Sequence, residues 1–201
     1  MVSMTAFVDP PRKAPWYLRP GLWLARRITG KDPLPGRLLT HFPKAAFGVG
    51  LFEMTAASAR NLDARCLAIV RIVASVVGGC PFCVDMNAAT WRRAGLTAAE
   101  LEVLLRFSTA ASAVWPTTLS QRERTAATYA MALSQTPVIV SAVLQAELLA
   151  AFSQREIVVL AVTAAQVNFW TRFNQGLGVP AAGFFDESVC KLPAATSSNV
   201  R

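Results

Sequence analysis

From Leu38 onward, apolar residues recur at three- and four-residue steps, and no alternating stretch of strand length breaks them. That period commits the chain to helices packed on helices. The starts are written into the sequence as well. Thr97 precedes Glu100, Ser120 precedes Glu123 and Ser153 precedes Glu156, each by three residues. In such a capping box the hydroxyl accepts from the amide three residues on, and the glutamate reaches back to the cap amide. Gly95 and Gly176 are suitable stops. The pattern predicts an all-α fold with helices near residues 44–60, 63–77, 80–94, 97–110, 120–134, 138–151 and 153–175. One helical domain is expected over 38–190, preceded by a Pro-rich basic arm over 1–37 and followed by a disordered tail over 191–201.

The arm stands apart by charge. Residues 1–44 hold eight of the 20 Lys/Arg and two of the 12 Asp/Glu, a balance of +6 out of a total of +8. They also hold seven of the 12 prolines, with Trp16, Tyr17 and Trp23 among them. Such a segment can lie on an anionic membrane surface, bind nucleic acid, or wrap its own domain or a neighbouring subunit. The last is favoured, because no lysine-rich run or nucleic-acid motif occurs. The apolar fraction, 53%, exceeds what one domain of 201 residues needs for its own core, which points to a homo-oligomer. A membrane span needs roughly 18–20 uninterrupted apolar residues. The stretch from Cys66 to Cys80 is broken by Arg71, and Ile157 to Val167 is too short. No apolar signal core precedes the first prolines, so a cytoplasmic location is expected.

Chemistry concentrates at residues 78–87, GGCPFCVDMN. Cys80 and Cys83 can be half of a metal site, a disulfide, two inert core residues or a redox pair. Only Cys66, Cys190 and His41 remain as further Cys or His ligands, and none forms a second close pair, so no metal is expected. A structural disulfide is disfavoured in the cytoplasm. Inert packing stays open, since a free cysteine behaves as a small hydrophobe. The redox reading fits best. A helix start presents free amides and partial positive charge, which favour thiolate over thiol. Pro81 suits the first turn. Asn87 lies four residues after Cys83 on the same helix face, where its amide can donate to a thiolate. Asp85 is expected to be a solvated first-turn acid.

The stretch LDARCLAIVRIVASVVGGCPFCVDMNAATWRRAGLTAAELEVLLR resembles the carboxymuconolactone decarboxylase-like family, which includes alkylhydroperoxidase D (AhpD). The later run from LSQRERTAATYAMALSQTP to FSQREIVVLAVTAAQVNFWTRFNQGLGVP is similar to the C-terminal half of its longer members. The likeness covers roughly residues 40–180. It implies an AhpD-like helical, oligomeric fold. In members with a thiol peroxidase site, it further implies that Cys83 attacks a hydroperoxide and that Cys80 resolves the sulfenic acid to a disulfide. No cofactor would be bound, and an external dithiol, a lipoyl or thioredoxin-like carrier, would reset the pair.

Two family positions differ. The histidine four residues after the second cysteine is Asn87 here. The glutamate about a dozen residues before the first is Ala68, or Cys66 if the glycine pair is an insertion. The usual proton relay is therefore absent. Glu53 on the preceding helix is the only carboxylate between Asp32 and Asp63 that can replace it. His41, the one histidine, reads as a surface residue. Arg71 would need a partner if buried, either the thiolate or Glu53. Trp170, Arg172 and Asn174 can line the same pocket or simply pack between helices.

Three functions follow in order. The first is a CxxC thiol oxidoreductase reducing a small hydroperoxide. The second is a non-redox, decarboxylase-like enzyme holding a small carboxylate with Arg71 and Arg172. The third is a non-catalytic oligomeric binding protein.

Overall fold

Each long apolar stretch starts at a side-chain oxygen that closes its first turn. The computed structural model describes residues 6–56, 62–106, 115–186 and 188, and among them the regular structure is helical throughout. After a 3-10 turn at Trp16–Leu18, the helices are α1 (Arg19–Thr29), α2 (Leu34–Leu39), α3 (Pro43–Ala56), α4 (Ala64–Gly78), α5 (Pro81–Ala88), α6 (Ala98–Arg106), α7 (Gln121–Ser134), α8 (Ala142–Ala151) and α9 (Gln154–Gly176). The boxes at Ser120 and Ser153 form with both reciprocal bonds, and Thr97 and Glu100 exchange the same pair. Asp63 caps α4 by accepting from the Cys66 amide at 2.7 Å.

Three expected boundaries shift for local reasons. α5 ends at Ala88, six residues early, because the Thr90 hydroxyl takes the Asn87 carbonyl and the chain continues as turns to Gly95. Gly95 is left-handed, φ 74°, as a stop requires. α8 begins only at Ala142, where Ser141 caps the Leu144 amide. α9 runs through Gly176, and the left-handed glycine beyond it is Gly178, φ 66°. The expected ends of the helices over 44–60 and 97–110, and the tail, lie partly or wholly outside the described residues.

α4 is the central element. Nine of its 15 residues are buried, and it packs against α5, α6, α7 and α9. It is therefore a core helix, with Leu67, Ile69 and Ile72 each contributing about 1.5–3 kcal/mol by burial. Among the described residues no single helix is long and apolar enough to cross a membrane.

The basic N-terminal segment is more ordered than its prolines suggest. It carries α1 and most of α2, and it wraps its own domain. Ala6 and Leu38 join Cys80, Phe82, Cys83 and Val179 in a second, smaller apolar cluster. The Phe7 amide donates to the Leu177 carbonyl at 3.2 Å, and His41 Nε2 donates to the Asp9 carbonyl at 2.8 Å. α3 and α8 instead leave large apolar residues in solvent, among them Phe47, Leu51, Met54, Val143 and Leu149.

Arg65, in the first turn of α4, ties the starts of two other helices to it. Its guanidinium meets Glu100 at 2.6 Å and Glu123 at 2.5 Å, the two glutamates that close the α6 and α7 boxes. Burial alone would push the Glu100 carboxyl up. Arg65, the Thr97 amide and the Thr118 hydroxyl outweigh it and hold the pKa at about 2, below an ordinary 4.5.

A folded-state pKa below the unfolded one gives stability that is present above about 4.5 and lost as pH falls toward 2. Arg65→Ala should cost about 3 kcal/mol at pH 7, because Glu100 is left buried without its cation. It should also flatten the loss of stability between those pH values. Urea unfolding midpoints across pH 2.5–7 read both effects.

Candidate active site

Two consecutive glycines turn the chain from α4 into α5. Gly79 is left-handed, φ 67°, and its amide closes onto Ser75 and Val76. Cys80 then occupies the N-cap of α5, where Ser, Thr, Asp or Asn is usual. Its sulfur does the same work, accepting from the Cys83 amide at 3.2 Å. Pro81 follows in the first turn, where its missing N–H costs nothing.

The N-cap geometry brings the sulfurs together as a dithiol, with the Cys80 thiol donating to Cys83 Sγ at 2.7 Å. This bond separates their acidities. It lowers the pKa of Cys83 against the opposing effect of burial, and the Asn174 amide lowers it further. It raises Cys80 in the same stroke, and burial raises Cys80 again. Of the two thiols, Cys83 is the one this contact favours to ionise, and Cys80 the one it favours to hold the proton.

The donors come from α9, almost a hundred residues away in the chain. Asn174 Nδ2 donates to Cys83 Sγ at 3.5 Å. Thr171, one turn earlier, faces the same sulfur. α9 can approach this closely because α4 ends in glycine. A Cβ on Gly78 would lie 2.6 Å from the Thr171 methyl. Gln175 fixes the contact by donating to the Gly78 carbonyl at 2.8 Å.

The pocket is closed. Cys80 is 0% and Cys83 1% exposed, under Ala6, Leu38, Phe82 and Val179. Half-buried Trp170 and Phe173 border it.

The other expected site residues are arranged differently. Asn87 lies on the correct face, but its amide donates to Ser75 Oγ at 2.8 Å and to the Cys83 carbonyl at 2.9 Å, not to the sulfur. It holds α5 against α4. Glu53 is exposed on α3, and Trp170 Nε1 donates to its Oε1 at 2.7 Å. The carboxylate reaches the rim of the site through Trp170 and does not touch a cysteine. Arg71 is half-buried. Burial lowers its pKa, the Glu53 charge raises it, and no direct ion pair joins the two. Arg172 is exposed.

Asp85 is a correction. It is 1% exposed, and its carboxylate accepts from the Ala182 and Phe185 amides at 2.8 Å each, which fastens the C-terminal segment to α5. The sequence offers no sign of these partners, which lie 97 and 100 residues downstream.

Cys66 is buried in α4, and burial pushes its thiol up to about 12, so it supplies no nucleophile. Cys190 lies outside the described residues. Among the described residues no group of three or more His, Cys, Asp or Glu could hold a metal ion. Thr171 and Ser75 were not visible as site residues in the sequence. The available signal was the spacing of Thr171 and Asn174, three apart on one helix face, opposite the glycine pair.

Residues 45–114 match the model of the carboxymuconolactone decarboxylase family. Over 195 residues the chain is 31% identical to the uncharacterized protein YnjA of Escherichia coli K12, covering 94% of this chain and 99% of that protein. Among solved structures, the apo debrominase Bmp8 superposes with a TM-score of 0.76 at 19% identity, over 90% of this chain and 95% of its own. A cysteine-to-alanine variant of Bmp8 in complex with 2,3,4-tribromopyrrole gives 0.73 at 19% identity, over 88% and 91%. A protein of unknown function from Agrobacterium tumefaciens, with a proposed AhpD antioxidant-defence role, gives 0.61 at 24% identity, over 71% and 94%. These likenesses establish an AhpD-like helical fold for this chain.

Gly78→Ala should destabilise the protein by about 1–3 kcal/mol, despite the better helix propensity of alanine, because the new methyl collides with Thr171. Urea denaturation checks the sign. A stabilised variant would mean that α9 does not press on the end of α4.

Proposed function

The chain belongs to the carboxymuconolactone decarboxylase family, and we propose that it works there as a CxxC thiol oxidoreductase that reduces small hydroperoxides. The observation that carries this reading is the division of labour between the sulfurs. The Cys80 thiol donates to Cys83 Sγ at 2.7 Å, a contact that favours ionisation of Cys83 over Cys80.

The chemistry follows from that arrangement. Cys83 thiolate attacks the terminal oxygen of ROOH. The S–O bond forms, the O–O bond breaks, and an alkoxide leaves. The Cys80 thiol no longer has a thiolate to hold, and its proton goes to the alkoxide to give ROH. Cys80 thiolate then attacks the sulfur of the Cys83 sulfenic acid, closing the disulfide and expelling hydroxide, which leaves as water after taking a proton. Peroxide gains two electrons and the cysteine pair loses two. An external dithiol of lipoyl or thioredoxin type returns them by exchange. The donated Cys80 proton removes the need for the family's glutamate and histidine, whose positions hold Ala68 or Cys66, and Asn87. Glu53 keeps an outer place, bonded to Trp170 at the rim.

Because Cys83 is 1% exposed, turnover requires the covering segments to open. The N-terminal segment over the pair, held by the Phe7 amide and by His41, is the part that would have to move. Self-assembly belongs to the same reading, since a second copy of the chain would cover the exposed apolar residues of α3 and α8. The cytoplasm would supply the dithiol and keep the pair reduced.

A second reading draws on the likeness to the debrominase. A thiolate of this kind is also a nucleophile toward a halogenated ring, and bromide release from a brominated pyrrole distinguishes the two.

Wild type treated with an alkyl hydroperoxide should consume it, lose two thiols and regain them with a dithiol. Cys83→Ser should lower consumption at least 100-fold. Cys80→Ser should halt at a sulfenic acid that dimedone traps on Cys83. Undiminished consumption by Cys83→Ser would overturn the proposal.

A further inference from the structure

Buried polar atoms are almost always hydrogen-bonded, so the exceptions call for a reason. Two of the described exceptions lie at Cys83. Thr171 Oγ1 and Asn174 Oδ1 have no hydrogen-bond partner, although both residues are 1% exposed. An unmade bond on a buried hydroxyl or amide leaves its desolvation uncompensated. Both residues sit on the same face of α9 beside Cys83, whose sulfur accepts from Asn174 Nδ2 at 3.5 Å while the Thr171 hydroxyl stands unbonded. Each therefore has unused hydrogen-bonding capacity beside the nucleophile. Thr171 is also fixed in place, since its methyl is lodged against Gly78.

The spare capacity has a definite chemical complement. Thr171 offers a donor, and Asn174 Oδ1 offers an acceptor. A hydroperoxy group carries one O–H on its terminal oxygen and lone pairs on its inner oxygen. Resting on the thiol peroxidase reading above, we infer that Thr171 and Asn174 form the receptor for the hydroperoxy group of the substrate. Asn174 Oδ1 accepts the terminal O–H and turns that oxygen toward Cys83 Sγ. Thr171 Oγ1 donates to the inner oxygen, which becomes the alkoxide as the O–O bond breaks. The proton that completes the alcohol is still the one from Cys80. Thr171 stabilises the charge while it develops, which is the effect a preorganised donor has on a leaving oxyanion. The same amide thus contacts the nucleophile with its nitrogen and the substrate with its oxygen.

This geometry selects for a substrate with an O–O–H group. A dialkyl peroxide has no O–H for Asn174 and should react at least 10-fold more slowly than the matching alkyl hydroperoxide.

The test compares two electrophiles at Cys83. Iodoacetamide expels iodide and needs no donor, whereas a hydroperoxide does. Both rates are measured on reduced full-length protein, at a pH above the thiol midpoint of each variant, so that thiolate fraction is matched. Thr171→Val should slow cumene hydroperoxide 10- to 100-fold and change iodoacetamide alkylation by less than threefold. Thr171→Ser should restore the hydroperoxide rate. Asn174→Ala should raise the KM for hydroperoxide more than it lowers kcat. The inference is overturned if Thr171→Val keeps the hydroperoxide rate within twofold, or if both electrophiles slow in parallel. If wild-type Cys83 reacts with iodoacetamide but with no hydroperoxide, the peroxidase reading fails, and this inference fails with it. A wild type that reacts normally beside an unaffected Thr171→Val removes the receptor alone.

Discussion

A sulfur anion removed from water survives only if hydrogen bonds replace its hydration, and the region around α5 is arranged to supply them to Cys83. The first comes from Cys80, 2.7 Å away. Its placement is a consequence of capping: a cysteine at the N-cap accepts from the amide three residues on, and so must lie beside the side chain of that residue. The glycine pair lets α4 stop one residue before the cap. The spacing of the motif, the proline and the glycines are therefore one device, which places two sulfurs in hydrogen-bond contact at a helix start.

The second set of donors depends on tertiary packing. Asn174 reaches the sulfur, with Thr171 beside it, only because α9 lies directly on Gly78, with the Gln175 amide bonded to its carbonyl. The central helix α4 thus serves both ends of the fold. At its start, Arg65 gathers the carboxylates that cap α6 and α7. At its end, it receives α9 and launches α5. The N-terminal segment and the Val179 region close over the result, and Asp85 holds the residues around 182–185 in place. A site so enclosed keeps both sulfurs out of solvent, and on the peroxidase reading it makes opening part of turnover.

Local features were legible in the sequence and distant ones were not. Capping boxes rest on contacts within a few residues and the core character of α4 on one apolar run, and both took the expected form. Asn87 shows the limit. Its spacing put it on the right face, yet Ser75 from α4 and the Cys83 carbonyl claimed its amide. Asp85 appeared to be a surface acid because its partners, two backbone amides, carry no sequence mark. Thr171 looked like one more residue of an apolar helix, since only the position of Gly78 in space makes it a neighbour of the thiolate. Prolines concealed α1 and α2, which place Pro20 and Pro35 in first turns where proline is tolerated.

The central claim is that Cys83 carries the negative charge and Cys80 the proton. Thiolate absorbance near 240 nm, followed against pH on a Cys190→Ser background, tests it most directly, since burial pushes the remaining Cys66 thiol up to about 12. One thiol should ionise below the ordinary value of about 8.5, and the signal should vanish in Cys83→Ser. A first thiolate appearing only above that value, or one that persists without Cys83, would contradict the account.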